Sequence, residues 1–227
     1  MKNLIIKDVE LAPSKNINPD LLYKQFNWRK TGKFEGIESI ILYCSNMQEP
    51  IWWNRPLESD TLVKQEADGL YSYNLPYIWK NNLFKTKYNI LVPINSVPII
   101  GQLKVNKSWT AEQKQKLHRF IVPLICDTLE ELGIESAKLR PINNDLKYEN
   151  KKFLGCEDRL DEDWFSFNYV ITLEYTPEKE IFERLTGKYA LAKPLTGIIE
   201  ATGYKFTKQQ FIEILIKKIQ SFLDTYE

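Results

Sequence analysis

The chain has 227 residues, and its 31 lysines and arginines against 30 aspartates and glutamates argue against a generic nucleic-acid binder. None of its nine glycines is adjacent to another or one residue away from it, which excludes a G-x-G-x-x-G phosphate-binding loop. Three isolated cysteines, a single histidine and no apolar run of ~18 residues predict no disulfide framework, no metal site and no membrane span, and favour a reduced, cytoplasmic compartment.

The first half of the chain is predicted to be rich in strands. A helix begins at Asn18-Pro19-Asp20, where proline takes the first helical position, and continues to Trp28. Runs of β-branched and aromatic residues predict strands at 3–11, 37–44, 50–53, 61–64, 70–73, 88–94 and 99–105.

Two capping boxes mark the long helices of the second half. Thr110 and Thr207 each precede a glutamine by three residues, and apolar side chains then repeat at three and four. The first helix is expected to reach Leu132 with a kink at Pro123, and the second to reach Leu223.

Four strands and a short helix are predicted between these two helices. The strands lie at 137–140, 145–149, 152–154 and 165–175, with a turn at Asn150-Lys151, and the short helix runs from Thr176 to Gly187. The whole pattern favours one α+β domain over residues 1–227, with a mixed, largely antiparallel sheet and packed helices.

The order of these elements carries a resemblance to a known family. The segments Arg140–Leu146, Asn150–Gly155 and Leu195–Ile199 follow the long helix in the order and spacing of the lipoate/octanoate protein ligase and transferase catalytic domain, which is related to biotin protein ligases. The resemblance implies a biotin/lipoate protein ligase-like fold without an accessory domain. It also implies an enzyme that moves a medium-chain acyl group to a carrier-protein lysine, with ATP and Mg²⁺ as cofactors if it is an active ligase and an acyl-carrier or lipoyl-domain protein as partner.

The resemblance assigns roles to five residues. Lys152 matches the lysine that contacts the acyl carbonyl, where a fixed cation stabilises developing negative charge. Asn144 and Asp145 match residues near the nucleotide and its Mg²⁺, and Gly155 lies beside them. Cys156 is a candidate acyl-thioester nucleophile. The structural alternatives are ordinary turn chemistry for Asn144-Asp145, a solvated hairpin for Lys152 and a small packed residue for Cys156.

Two family elements have no counterpart here. The Arg-Arg-x-x-Gly-Gly-Gly loop is missing, and the nearest stretch, 64–69, has one glycine with Glu66 and Asp68, whose charges repel phosphate. The family's His-Gly is also missing from Trp164–Tyr169. A second hypothesis is therefore a catalytically degenerate member of the fold that acts as a binding module or as a subunit of a larger assembly.

An aromatic cluster fits either hypothesis. Its functional readings are a partner-binding surface or the wall of an acyl tunnel, and its structural reading is cross-strand packing in the core. Its members are Trp52, Trp53, Tyr71, Tyr73, Tyr77 and Trp79. Of the other reactive side chains, His118 and Cys126 are interpreted as structural, and Cys44 gives no signal.

Overall fold

Nine strands and four α-helices make up the part of the chain that the computed structural model describes. The described residues are 4–8, 39–46, 51–53, 90–92, 95–142, 145–160, 163–174 and 196–226. The strands are Leu4–Asp8 (β1), Ser39–Tyr43 (β2), Ile51–Trp53 (β3), Ile90–Val92 (β4), Ser96–Lys104 (β5), Leu139–Ile142 (β6), Asp145–Tyr148 (β7), Lys151–Leu160 (β8) and Trp164–Thr172 (β9). The helices are Ala111–Leu117 (α1), Ile121–Glu131 (α2), Ile198–Thr202 (α3) and Lys208–Asp224 (α4), and a 3-10 turn covers Ser136–Lys138.

Seven of the strands form one sheet in the order β1-β2-β5-β9-β8-β7-β6. The β1–β2 pair is parallel and every other neighbouring pair in this sheet is antiparallel. The remaining strands, β3 and β4, pair with each other. The prediction of a mixed, largely antiparallel sheet is confirmed.

The centre of the sheet is the long pairing of β5 with β9. Nine successive residue pairs join them, from Ser96 opposite Thr172 to Lys104 opposite Trp164. Because side chains alternate along a strand, Leu103, Phe167 and Ile171 fall on the side that carries the main hydrophobic core with the helices. We call this side the helix face of the sheet. The opposite side is also buried at its centre, where Ile100 and Val170 are each 6% exposed.

The final helix, α4, closes the core on the helix face. Thr207 accepts a hydrogen bond from the Gln210 amide, and Gln210 accepts one from the Thr207 amide, as the capping box predicts. The buried side of α4 consists of Phe211, Ile212, Leu215, Ile219 and Leu223. The predicted helix and its apolar stripe are confirmed.

The helix expected over 110–132 is interrupted, and the predicted kink at Pro123 is wrong, because the break lies before Ile121. The chain leaves the helix at His118 and re-enters it at Ile121, with Arg119 at φ 56°. Pro123 lies in the first turn of α2, where proline is tolerated because the amide it lacks has no intrahelical acceptor.

The hairpin before Lys152 turns one residue earlier than predicted. The turn is at Glu149-Asn150, with Glu149 at φ 54°, and Lys151 already belongs to β8. The strand expected at 137–140 begins at Leu139, after the 3-10 turn.

Several predictions lie outside the described residues. These are the helix from Asn18, the strands 61–64 and 70–73, the helix from Thr176, and the aromatic residues Tyr71, Tyr73, Tyr77 and Trp79. Among the helices that are described, none combines the length and the apolar character that crossing a membrane requires.

Candidate active site

An irregularity in the β7–β8 pairing decides which way Lys152 faces. Lys147 lies opposite Lys152 and Leu146 lies opposite Leu154, so Phe153 is one extra residue in β8. In a regular strand, residues 152 and 155 would fall on opposite sides, because their separation is odd. The bulge removes that difference and puts Lys152 on the same side as Gly155, opposite the helix face.

The Lys152 amine lies over Gly155. A Cβ atom on Gly155 would be 3.6 Å from Lys152 Nζ and 3.7 Å from its Cε. The lysine is half-buried, and the surface beneath its ammonium group is bare backbone. The long cationic side chain of Lys152 therefore lies along the strand, over the Gly155 backbone, instead of extending into water.

The predicted neighbours of Lys152 come from the adjoining strand. Asp145 is the Cα partner of Gly155 in β7, so its backbone lies next to the Lys152–Gly155 pair. The Asp145 side chain and all of Asn144 fall outside the described residues. The structure thus brings together the backbones of Asp145, Lys152 and Gly155.

A contact that sequence reasoning missed fixes the backbone of Lys152. The Thr196 amide donates a hydrogen bond of 2.9 Å to the Lys152 carbonyl. Thr196 is 2% exposed. It contacts Lys152 although the two residues are 44 positions apart in the chain. The resemblance had placed residues 195–199 in the family's last segment without predicting this contact, because a backbone hydrogen bond across the fold leaves no sequence signal.

Cys156 lies on the other side of the sheet. It is opposite Tyr169 in β9, one residue beyond Gly155, and it packs against the core on the helix face. The structure therefore does not bring Cys156 together with Lys152.

A second polar cluster surrounds Asp158 on the helix face. Asp158 accepts hydrogen bonds of 2.8 Å from His118 Nδ1 and 2.8 Å from the Arg119 amide. Its side chain is 4% exposed and that of His118 is 54% exposed. Nearby, the Tyr169 hydroxyl is buried without a hydrogen-bond partner, and burial raises the pKa of this phenol well above its ordinary value. Sequence reasoning found no acid for His118, since Asp158 is brought to it by the fold.

Within the described ranges, the structure has no group of three or more His, Cys, Asp and Glu side chains that could hold a metal ion. Cys126 in α2 is half-buried, and burial together with the Asp127 charge raises the pKa of its thiol to about 11. A protonated thiol is a poor metal ligand and nucleophile, which agrees with the structural interpretation of Cys126.

Solved structures of similar fold include lipoate protein ligases. No protein-family model matches the chain, and no curated protein matches its sequence. Plasmodium falciparum LipL1 in complex with lipoate superposes with a TM-score of 0.63 at 16% identity, covering 99% of this chain and 63% of the other. The bipartite lipoate protein ligase of Thermoplasma acidophilum, studied with its E2 lipoyl domain, gives 0.62 at 13% identity, covering 98% and 84%. Lipoate-protein ligase A bound with ATP gives 0.55 at 12% identity, covering 98% and 85%.

These comparisons define the class of fold. The chain has the fold of the lipoate and biotin protein ligase catalytic domain, with a mixed sheet and packed helices. It spans 63% of the length of the P. falciparum chain. At 12–16% identity the likeness concerns the fold, and the activity has to be argued from the residues themselves.

Proposed function

We propose that the protein is an acyltransferase that holds a medium-chain acyl group with its carbonyl at Lys152 and transfers it to a lysine of a carrier protein. One observation carries the proposal. The β8 bulge turns Lys152 to the same side as Gly155 and lays its amine over the bare glycine backbone. A solvated hairpin lysine would extend into water instead of lying along the strand backbone.

The chemistry requires a fixed cation beside the acyl carbonyl. When an amine attacks that carbonyl, negative charge develops on the oxygen, and a half-buried ammonium group stabilises it more strongly than water does. The acceptor lysine forms an amide bond with the acyl carbon, while the bond from that carbon to the donor's leaving group breaks. Lys152 acts as the electrostatic partner and is not itself acylated.

The residues fit a thioester donor better than ATP and Mg²⁺. The sequence has no glycine-rich loop to supply backbone donors to a triphosphate, and Glu66 and Asp68 occupy its expected place. Asp145 matches the aspartate that the family places near Mg²⁺, and its backbone lies beside Lys152 and Gly155. We therefore propose an acyl thioester as donor, with loss of its thiol as the leaving group.

The proposed acceptor is a lipoyl-domain or acyl-carrier protein. The T. acidophilum ligase of similar fold was studied with its E2 lipoyl domain, which supports this partner class. The acceptor lysine belongs to a second protein, so the acyl carbonyl has to be reachable from the surface. The partial exposure of Lys152 agrees with this requirement.

The test is transfer of an octanoyl group from an octanoyl thioester to a lipoyl domain, followed by intact mass spectrometry of the domain. We expect transfer by the wild type, loss of transfer in Lys152→Ala, and retention in Lys151→Ala. Lys151 is the matched control, because it is the neighbouring lysine and is exposed. It is the partner of the core residue Tyr148 in β7, so it falls on the helix face, opposite to Lys152. Transfer at the wild-type rate by Lys152→Ala would contradict the assigned role. Mass analysis of the enzyme in the same experiment shows whether Cys156 is acylated.

The second candidate function is a degenerate binding module of the same fold. The absent glycine loop favours it, because acyl activation from ATP needs preorganised backbone donors. In that case the wild type transfers no octanoyl group from a thioester or from octanoate with ATP, and its partner is another protein that binds through the aromatic cluster.

A further inference from the structure

Lys152 lies beyond the end of the β8–β9 pairing, so on the β9 edge of its strand its backbone neighbour is not β9. The pairing of these strands begins with Leu154 opposite Ile171. The Thr196 amide reaches the Lys152 carbonyl at 2.9 Å, and the Ile199 amide reaches the Leu173 carbonyl at 3.0 Å. The segment 196–199 therefore continues the hydrogen bonding of the sheet past the end of β9.

Gly197 lets this segment approach. A Cβ atom at Gly197 would lie 2.3 Å from the Leu173 carbonyl oxygen and 2.5 Å from Glu174 Cα. Both contacts are with backbone, which cannot rotate away. With φ −83°, Gly197 needs no special backbone conformation, and the requirement for glycine is one of space.

Glu200 fixes the same segment through two hydrogen bonds. Its Oε2 accepts a 2.8 Å hydrogen bond from the Gly197 amide and a 3.4 Å hydrogen bond from the Thr196 hydroxyl. A single carboxylate oxygen thus ties together the two residues that border Lys152 and the end of β9.

We infer that Thr196, Gly197 and Glu200 are positioning residues that hold the Lys152 backbone, and with it the amine over Gly155, in the geometry needed for acyl transfer. This inference rests on the proposed function. Thr196 donates to the Lys152 carbonyl, and the Glu200 carboxylate holds Thr196 and Gly197 in place. The three residues act through the Lys152 carbonyl, and catalysis is sensitive to displacements of about 1 Å at such positions.

The test compares Gly197→Ala and Glu200→Leu with the conservative Glu200→Gln, which retains an acceptor oxygen. Glu213→Leu is the matched control, because Glu213 is an exposed acid on α4 whose hydrogen bond, within the described part of the chain, is with Gln209 of its own helix. For each variant we measure kcat and KM for octanoyl transfer. We also measure the ratio of Lys152 to Lys151 acetylation by a limiting amine reagent, which reports the position of the amine whether or not the protein transfers acyl groups.

In the wild type, Lys152 should react more slowly than the exposed Lys151. Gly197→Ala and Glu200→Leu should bring the two rates together and lower kcat about tenfold or more with little change in KM. Glu200→Gln and Glu213→Leu should match the wild type. A wild-type acetylation ratio in both Gly197→Ala and Glu200→Leu would overturn the inference. An absence of transfer by the wild type would overturn the proposed function, while the acetylation ratio would still decide the positioning role. If Gly197→Ala does not fold, Glu200→Leu against Glu200→Gln decides it.

Discussion

Phe153 is the residue that determines which side of the sheet Lys152 faces. It is the extra residue of the bulge, and its side chain is 2% exposed, so packing in the core holds it in place. Sequence reasoning identified the Lys-x-x-Gly spacing but not its geometry. A bulge depends on how two strands align with each other, and neither strand's own pattern contains that information.

A close approach in the core gives a sharp test at the residue scale. Phe167 covers Gly101, so a Cβ atom there would lie 2.0 Å from the ring. We expect Gly101→Ala to lower the free energy of unfolding by about 1–3 kcal/mol, measured by denaturant titration, because a packed core cannot absorb the added methyl group.

Gly155→Ala is the control for this substitution. At Gly155 the new methyl group meets only the end of the Lys152 side chain, at an ordinary 3.6 Å. Its cost should therefore be much smaller. Equal losses in the two variants would show that loss of glycine itself, and not the Phe167 contact, sets the cost.

The Cys126 thiol makes the free energy of unfolding depend on pH in the alkaline range. Burial, followed by the Asp127 charge, raises the pKa of the thiol from 9.0 to about 11. The folded protein holds this proton more tightly than the unfolded chain does, so the contribution to stability is complete below pH 9 and is lost as the pH rises from 9 to 11.

Cys126→Ala should remove this part of the alkaline loss. The measurement is the free energy of unfolding of both proteins between pH 8 and pH 11, which bracket the ordinary and shifted pKa values. The wild type's free energy of unfolding relative to that of Cys126→Ala should be constant up to about pH 9. Above that pH it should fall, because only the wild type loses the contribution of the protonated thiol. Parallel curves across this range would contradict the shifted pKa.

At the scale of elements, the break between α1 and α2 is held by a carboxylate from a strand. Asp158 binds the amide of Arg119, which has φ 56°, and the ring of His118. The sequence pattern predicted one helix because the apolar spacing continues through the break. The interruption depends on an acid that lies 39 residues away.

Asp158→Ala should destabilise the protein by about 2 kcal/mol in thermal or denaturant unfolding, since a buried carboxylate that accepts two hydrogen bonds is lost. His118→Ala should cost less, because that side chain is 54% exposed and the Arg119 amide keeps its acceptor. A larger loss for His118→Ala than for Asp158→Ala would place the stabilising interaction elsewhere.

The elements that local chemistry defines were predicted from sequence. Both capping boxes form the reciprocal hydrogen bonds that their residues indicate, and α4 buries the predicted stripe. What sequence could not predict depends on contacts distant in the chain, such as the register of β7 on β8, the Thr196 contact with Lys152 and the side of the sheet on which Cys156 lies.

At the scale of the whole molecule, the two sides of the sheet have different environments. The helix face carries the core and the Asp158 cluster, and the opposite side carries Lys152 over Gly155. The fold is that of the lipoate and biotin protein ligases, whereas the glycine loop of that family has no counterpart in the sequence.

The missing loop predicts the response to ATP. A ligand at a hundredfold excess over its Kd stabilises a protein by about 2.7 kcal/mol, which raises the Tm of a chain of this size by several degrees. We expect no such rise with ATP and Mg²⁺, alone or with lipoate or octanoate. A clear rise in a thermal melt would show that other backbone amides bind the triphosphate.

The central claim, that Lys152 contacts the acyl carbonyl, is tested most directly by protection from labelling. The protein is acetylated briefly with and without an octanoyl thioester, the proposed donor, and mass spectrometry compares Lys152 with Lys151 in the same digest. We predict that the octanoyl thioester slows the acetylation of Lys152 and leaves that of Lys151 unchanged. Equal acetylation of Lys152 with and without saturating octanoyl thioester would contradict the account.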